Sequence, residues 1–496
     1  MKKNSFKNVV IIYFLLFASL ATATILKFVL IPDTGLTTIS SLIFQLIAIL
    51  LIICIFALFF LKKRNGKYIL TIPINQLAVI STCIAITYII SIYLYLITPL
   101  LMPVFLTSFL LVPLVKRQTV LLANLFCNIL IFTNQIIRQI SYAVYLGDFA
   151  GFANIPFAAT FMFLIGILSG SVSAFVLTYE SRRFDFMLKA AVICLFSIGI
   201  AVAISSIVFV QSENHFVMVF ANTSPFNLGE MAMAALVFSS AAFFSQLILT
   251  IILQPVFEKL FNLLTNARLI DLTDHNFPLM KRLINETPGT FNHALTVANF
   301  AEVCATAIGE NPYLARAMAY YHDIGKLENP QFFKENQQEI NPHDSILPEV
   351  SAEIIKNHAE HGYKLCKKYR IPNEIALVTI EHHGTLPITV FLVKAQNLTD
   401  GKVDIKEYSY SGPTPSTKMA AIIMICDTAE AAIRAASTDD MTKKEEIIYK
   451  LIQDRIALGQ FDNCDITLKE LYIIKDTILS AFSGVHHKRI KYPDGK

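Results

Sequence analysis

The sequence contains no tryptophan, and only 16% of its 496 residues are charged. Its hydrophobic fraction of 54% and its mean hydropathy of +0.55 are far above those of soluble globular proteins. This composition excludes an ordinary soluble enzyme and indicates several membrane-spanning segments. A nucleic-acid polymer is not an expected partner, because the basic residues form no stripe on the less apolar part of the chain.

Cysteine is present without a pattern. The eight Cys residues divide equally between the apolar first half and the remainder, and no CxxC pair occurs. The sequence therefore supports neither a disulfide framework nor a zinc knuckle. We expect free thiols in a reducing compartment.

Charge is distributed unevenly along the chain. Up to Pro255 there are 14 Lys and Arg against 6 Asp and Glu, whereas the remainder has 27 basic and 31 acidic residues. The simplest interpretation is a basic membrane half followed by a mildly acidic soluble half. Helical periodicity dominates the soluble half, so the fold class predicted is all-α. The predicted divisions are a transmembrane domain (1–255), a linker helix (256–282), a cytosolic helical domain (283–485) and a tail (486–496).

Eight apolar runs are long enough to be considered as membrane spans. They lie at residues 8–30, 39–61, 74–98, 100–115, 119–140, 155–178, 188–210 and 232–255. The run at 100–115 is short and contains Pro103 and Pro113. The first run also resembles a signal peptide, because it follows lysines and contains Ala21-Thr22-Ala23; its cleavage would leave seven spans.

The absence of basic residues from alternate loops predicts the orientation. Residues 31–40, 141–154 and 211–229 contain no Lys or Arg, whereas the intervening loops are basic. By the positive-inside rule both termini are expected in the cytoplasm. The expected location is the plasma membrane of a bacterium.

The predicted fifth span carries a polar face. Polar groups inside a bilayer are costly and usually turn inward. We interpret this face as interhelical hydrogen bonding, with a ligand-sensing or conduction pocket as the alternative. Its residues are Asn124, Asn128, Gln135, Gln139 and Tyr142, with Arg138 beside them.

Two connecting segments are also predicted. An amphipathic helix is expected to continue from Pro255 to about Arg282 and to pair with a second copy in a homodimer. Asn397–Pro415 contains two glycines and two prolines and is predicted as a surface loop.

The pair His322-Asp323 is the strongest chemical signal. An imidazole supplies one metal with a neutral nitrogen, and the neighbouring carboxylate has two oxygens that can bridge it to a second metal. Helical bundles build dinuclear sites by gathering such donors from several helices. Further His and Asp residues occur in separate helix-like segments. We therefore predict a metal site with seven ligands: His293, His322, Asp323, His358, His382, His383 and Asp427.

The surrounding motifs resemble the HD domain of the PgpH-type seven-transmembrane HD proteins. These are bacterial membrane-anchored phosphodiesterases that hydrolyse cyclic di-AMP to linear pApA. The resemblance covers about residues 265–440 and is carried by six segments: Glu286–His293, Tyr320–Lys326, Phe332–Gln337, Asn341–Asp344, His382–Thr385 and Gly412–Pro415. The family usually has a large extracytoplasmic domain after the first span, and this chain has only about ten residues there.

The resemblance implies two divalent ions, iron or manganese. One would be held by His293, His322 and Asp427 and the other by His358, His382 and His383, with Asp323 as the bridge. Asp323 and Lys326 would be the catalytic residues. Lys326 is also the expected contact to a substrate phosphate, together with Arg434, which lies seven residues after Asp427 and hence on the same helix face.

The expected function is therefore hydrolysis of cyclic di-AMP at a membrane, in second-messenger signalling. One alternative is the same chemistry on another cyclic nucleotide, such as cyclic di-GMP. A second is a membrane receptor that binds the nucleotide without hydrolysing it, which the complete set of ligand types disfavours. Transport through the membrane half rests only on the polar face of the fifth span.

Overall fold

The structure, a computed structural model, describes residues 3–30, 36–64, 67–95, 97–146, 157–177, 183–211, 228–337, 340–399 and 403–485. The chain divides into two compact units, Met1–Ala267 and Arg268–Lys496. Apart from one short β-hairpin in the first unit, the regular elements in the described parts of both units are helices, which confirms the predicted fold class.

The first unit consists mainly of long apolar helices. Six described helices are long and apolar enough to cross a membrane, and α6 adds a shorter apolar stretch, Thr160–Val176. The hairpin pairs β1 (Leu61–Arg64) with β2 (Lys67–Leu70). The helices are α1 (Lys3–Leu30), α2 (Leu36–Phe60), α3 (Ile74–Leu94), α4 (Leu106–Leu111), α5 (Arg117–Leu146), α6 (Phe157–Val176), α7 (Arg183–Gln211) and α8 (Leu228–Leu260).

The prediction of a spanning helix at 100–115 is wrong. This segment contains a 3-10 turn at Pro99–Leu101 and the six-residue α4, with irregular backbone on both sides of α4. The physical cause is proline: Pro103 and Pro113 lack the N–H that a helix interior requires.

The segment nevertheless runs back along its neighbours. Contacts from α3 to α5 pair Ile84 with Cys127 and Tyr88 with Asn134, so these two helices run parallel. Two parallel helices that follow each other in sequence need a connection that returns to the starting side. The irregular segment is that connection, so the predicted alternation of loops does not depend on a helix here. The sides on which the termini lie stay a prediction.

Side chains of the membrane helices compensate the irregular backbone. Non-helical backbone at membrane depth must find hydrogen bonds within the protein. The Asn128 amide donates to the Val104 carbonyl at 2.9 Å, and the Phe105 amide donates to Gln246 Oε1 at 3.3 Å. Asn124, one turn before Asn128, donates to the Gly166 carbonyl at 3.1 Å.

These contacts support the interpretation of the polar face as interhelical hydrogen bonding. Asn124, Asn128 and Gln135 are all buried, and each contacts another segment of the unit. The side chains of Arg138, Gln139 and Tyr142 lie outside the described part of the chain.

The predicted continuous linker helix over 256–282 is also wrong. α8 ends at Leu260, and Asn262 adopts a left-handed conformation with φ of 48°. Asparagine tolerates this conformation and commonly ends helices. The chain continues through the short helix α9 (Asn266–Leu272). Pairing of this region with a second copy stays a prediction.

The second unit is a bundle of helices around a largely buried, mostly apolar helix, α17 (Lys418–Ala436). Short 3-10 turns connect several of the others. Its further helices are α10 (Pro278–Glu286), α11 (Pro288–Ala307), α12 (Pro312–Tyr321), α13 (Pro348–Lys368), α14 (Asn373–Ala376), α15 (Val378–Glu381), α16 (Thr389–Leu398), α18 (Met441–Ala457) and α19 (Leu468–Val485).

We predict that Gly166→Ala destabilises the membrane unit. A Cβ at this position would lie 2.1 Å from Asn128 Oδ1, so the Asn128 amide would be displaced from the Val104 carbonyl. Overpacking of this kind costs about 1–3 kcal/mol. The midpoint of thermal unfolding of the detergent-solubilised full chain should fall by several degrees, as a rough estimate from that cost.

Gly199→Ala is the matched control, because a Cβ there meets no atom within 4 Å. Its midpoint should equal or exceed that of the parent, since alanine favours the helix. Equal midpoints for Gly166→Ala and the parent would show that the close contact of α5 with α6 does not limit stability.

Candidate metal centre

The His322-Asp323 pair stands at the carboxyl end of α12. The Asn311 side chain caps the start of this helix by accepting from the amides of Tyr313 and Leu314. At the other end the Tyr321 hydroxyl donates to the Leu272 carbonyl at 2.7 Å. Both anchors fix the helix along its axis, and His322 and Asp323 follow it with 0% and 2% exposure.

A glycine brings this turn against α13. A Cβ on Gly325 would lie 1.8 Å from the His358 carbonyl oxygen, so any larger residue would push the two backbones apart. The close approach places Asp323 beside His358. Gly325 therefore sets the distance between two elements of the site.

All seven predicted ligands come together in the second unit. The ligand atoms fall into three overlapping groups, and within each group all lie within 4.8 Å of one another. The groups are Asp323 with His358, His382 and His383; His293 with His322 and Asp323; and His322 with His382 and Asp427.

The two oxygens of Asp323 face different ligand sets. Oδ2 lies 3.2 Å from His322 Nε2 and 3.7 Å from His293 Nε2. Oδ1 lies 3.3 Å from His358 Nε2 and 3.7 Å from His382 Nε2. This is the arrangement that a bridging carboxylate requires.

Backbone carbonyls orient three of the histidines. The Nδ1 of His322 lies 2.6 Å from the Ala319 carbonyl, that of His358 lies 2.5 Å from the Ile355 carbonyl, and that of His382 lies 2.9 Å from the Val378 carbonyl. A carbonyl only accepts, so each Nδ1 carries a proton, and in the neutral ring Nε2 then presents a lone pair. Such partners are the usual way in which a protein fixes the tautomer of a metal-binding histidine.

The Nε2 atoms that result are buried and unsatisfied. Those of His322, His358 and His382, and Oδ1 of Asp323, make no hydrogen bond to any residue that the structure describes. Unpaired buried polar atoms are rare in folded proteins because each costs free energy. Four such atoms in one cluster of candidate ligands fit bound cations, and nitrogen and oxygen donors suit a transition metal such as manganese or iron.

His293 is oriented by a residue that the sequence reasoning missed. Its Nδ1 lies 2.8 Å from Glu430 Oε2, and its Nε2 lies 3.0 Å from Asp427 Oδ1. Glu430 is three residues after Asp427 and therefore on nearly the same face of α17, which is the signal that would have identified it.

The carboxylates make one side of the centre attractive to positive charge. Burial lowers the pKa of His322, but Asp323 and Asp427 outweigh burial and raise this pKa to about 10. Burial likewise lowers the pKa of His293, and hydrogen bonds with Asp427 and Glu430 raise it to about 9. A metal ion would satisfy the same negative field after displacing these protons.

The other side of the centre is neutral. Burial lowers the pKa of His382, and it lowers that of His383 more strongly. Both imidazoles are therefore uncharged at neutral pH, which is the state in which histidine binds metals.

Lys326 lies between two carboxylates. Its Nζ is 2.7 Å from Asp323 Oδ2 and 2.8 Å from Glu335 Oε1, and its side chain is 13% exposed. Thr290 donates to the same oxygen of Glu335 at 3.2 Å. The lysine thus restrains Asp323 through Oδ2. A contact from its third N–H to a substrate phosphate stays a prediction.

Arg434 lies on α17 one turn beyond Glu430. Its Nη1 is 3.6 Å from Glu430 Oε1, and its side chain is 55% exposed. The structure therefore leaves the guanidinium accessible to solvent, and its predicted substrate contact is not tested by these distances.

The chain is similar to one family model and to curated proteins. A family model described as "HD domain" matches residues 290–432. The chain is 40% identical over 331 residues to the cyclic-di-AMP phosphodiesterase PgpH of Listeria monocytogenes serotype 1/2a (strain 10403S), which is 66% of this chain and 44% of that protein. It is 40% identical over 252 residues to the PgpH of Bacillus subtilis (strain 168), which is 51% of this chain and 35% of that protein.

A solved structure gives a further similarity. The crystal structure of the L. monocytogenes PgpH HD domain in complex with cyclic-di-AMP is 45% identical, covers 43% of this chain and 100% of that chain, and has a TM-score of 0.42. The chain spans less than half the length of the curated relatives named above. The resemblance inferred from the motifs is confirmed.

We predict that Glu430→Gln weakens metal binding without removing a metal ligand. A neutral amide at this position polarises the His293 imidazole less than the carboxylate does. Losses of this kind reduce metal affinity by roughly 10- to 100-fold. Titration of the full chain with Mn²⁺ against a chelating dye measures the change.

Glu360→Gln is the control, because the Glu360 side chain is 69% exposed and pairs only with Lys364 among the described residues. Its affinity should equal that of the parent. An unchanged affinity for Glu430→Gln would refute the proposed support of His293 by Glu430.

Proposed function

From the HD domain at residues 290–432 and the similarity to the PgpH phosphodiesterases, we propose that this chain hydrolyses cyclic di-AMP to linear pApA in second-messenger signalling. The observation that carries the proposal is Asp323, whose two oxygens face two sets of oriented imidazoles. The fit of this arrangement to a dinuclear site supports the proposal independently of the similarity.

The proposed centre holds two divalent ions, manganese or iron. His293, His322 and Asp427 would hold one, His358, His382 and His383 would hold the other, and Asp323 would serve both. Two such ions supply an acidified water as nucleophile and offset the charge that builds up on the phosphoryl oxygens.

The protein's own residues provide position and charge. His322, His358 and His382 are oriented by backbone carbonyls, so their Nε2 atoms face the site before any ligand arrives. Burial raises the pKa of Asp323, but His322 and Lys326 outweigh it and hold this pKa well below its usual range. The bridge is therefore ionised at neutral pH, and no proton has to leave it on metal binding.

Lys326 also remains charged. Burial lowers its pKa, but the charges of Asp323 and Glu335 outweigh burial and raise it. Its position restrains Asp323 Oδ2 and keeps a positive charge next to the place where a phosphate would bind.

The bridging role predicts different metal contents for two variants of the full chain. Asp323→Ala removes a donor from each ion and the charge that screens the two cations, so metal content should fall to near zero. His358→Ala removes a donor from one ion only, so about one ion should remain, against about two in the parent. Hydrolysis should fail in both variants.

Elemental analysis of both purified variants, checked for folding by circular dichroism, measures this difference. Two retained ions in Asp323→Ala would contradict the bridge. Equal loss in the two variants would contradict the division of the ligands into two sets.

Substrate choice is tested with the detergent-solubilised full chain and Mn²⁺. Cyclic di-AMP should be hydrolysed to pApA with kcat/KM at least about tenfold above that for cyclic di-GMP, which corresponds to about 1.4 kcal/mol. Asp323→Ala serves as the inactive control. Equal or reversed preference would refute the proposed substrate, and binding of cyclic di-AMP without turnover by the parent would favour a receptor.

A further inference from the structure

Tyr410 lies in a segment that the sequence predicts as a surface loop. The preceding Tyr408 is only 1% exposed, and its carbonyl accepts from the Ile388 amide at 2.7 Å. The Tyr410 amide donates to the Leu386 carbonyl at 3.0 Å. These two bonds fix the backbone of Tyr410 against the turn that follows His383.

The Tyr410 ring contacts two of the candidate metal ligands. It stacks on the His383 ring with a centroid distance of 4.2 Å and an interplanar angle of 26°. It meets the His358 ring edge-on at 6.0 Å and 87°. Both histidines belong to the ligand set that faces Asp323 Oδ1.

The orientation of the His383 ring depends on this stack because, within the described chain, His383 lacks the Nδ1 hydrogen bond that the neighbouring histidines have. His293, His322, His358 and His382 each have an Nδ1 restrained by a carbonyl or a carboxylate. Among the residues that the structure describes, no hydrogen bond restrains the ring nitrogens of His383. Its contacts are instead aromatic, with Tyr410 on one side and His382 at a centroid distance of 3.9 Å. The plane of the His383 ring is therefore set by packing.

The Tyr410 hydroxyl is carried by a ring that contacts two candidate ligands of the centre. Among the residues that the structure describes, this hydroxyl has no hydrogen-bond partner. It is a donor beside the metal site without a protein acceptor.

We propose that Tyr410 has two separable roles. Its ring positions His383 as a metal ligand, and its hydroxyl donates a hydrogen bond to a phosphoryl oxygen of the substrate. The second role rests on the proposed function, whereas the first rests only on the metal site. In the second role Tyr410 is a catalytic residue, because it touches the reacting group.

Two substitutions separate these roles in the full chain. Tyr410→Phe keeps the stack on His383 and removes the hydroxyl. Metal content should equal that of the parent, while kcat for cyclic di-AMP should fall roughly 10- to 100-fold, as for loss of a hydrogen bond to a charged group. KM should change little, because charge on the phosphoryl oxygens is greatest in the transition state.

Tyr410→Leu keeps apolar bulk but removes the aromatic stack. The affinity for the Mn²⁺ ion assigned to His358, His382 and His383 should fall roughly 10-fold or more, as when a residue that supports a metal ligand is lost. Dye-competition titration detects this loss without any substrate. Tyr449→Phe and Tyr449→Leu are the controls, because Tyr449 is 46% exposed on α18, and both should match the parent in every measurement.

Each outcome decides one role. Unchanged kcat and KM in Tyr410→Phe would overturn the hydroxyl contact, and unchanged Mn²⁺ affinity in Tyr410→Leu would overturn the positioning role. A parent that binds two Mn²⁺ but neither binds nor hydrolyses cyclic di-AMP would refute the proposed function and the hydroxyl contact with it. The titration of Tyr410→Leu would still decide the positioning role in that case.

Discussion

The candidate metal centre of the second unit depends on one buried carboxylate, that of Asp323. Asp323 is 2% exposed, and burying a charge at such a place is costly unless opposite charges or hydrogen bonds compensate it. Lys326 compensates one oxygen directly, at 2.7 Å. The other oxygen has no hydrogen-bond partner in the described chain and faces His358 and His382. This imbalance is what a cation between the ligand sets would correct, so the stability of the centre and its chemistry have the same source.

Backbone approach decides whether that carboxylate can reach both sets. The turn containing Gly325 touches α13 at the His358 carbonyl, and the start of α11 touches the Glu335 carbonyl at Gly289. A side chain at either glycine would collide with backbone atoms less than 2 Å away. Glu335 in turn holds Lys326, so the second contact acts on Asp323 through two ionic groups. The two glycines thus determine how closely these backbone segments approach each other, and through them the position of Asp323.

The sequence was sufficient to find the seven candidate ligands that the fold brings together, and insufficient to find the residues that orient them. Seven donors of the right type stand out because His, Asp and short turns are recognisable in an apolar helical background. Glu430 and Tyr410 do not stand out, since single Glu and Tyr residues are common and their roles follow from helix phase and loop path. The prediction of a spanning helix at 100–115 was wrong for a related reason. Hydropathy indicates that a segment is buried, whereas Pro103 and Pro113 prevent it from forming a continuous helix.

Burial without a helix has a consequence for the membrane unit. A crossing built from irregular backbone exposes amides and carbonyls that lipid cannot satisfy, so side chains of neighbouring helices must satisfy them. Asn128 and Gln246 do so for Val104 and Phe105. The polar groups that suggested a conduction path on α5 are thereby occupied in holding the fold. For Asn124, Asn128 and Gln135, the described residues of that face, hydrogen bonds within the unit explain the polar character.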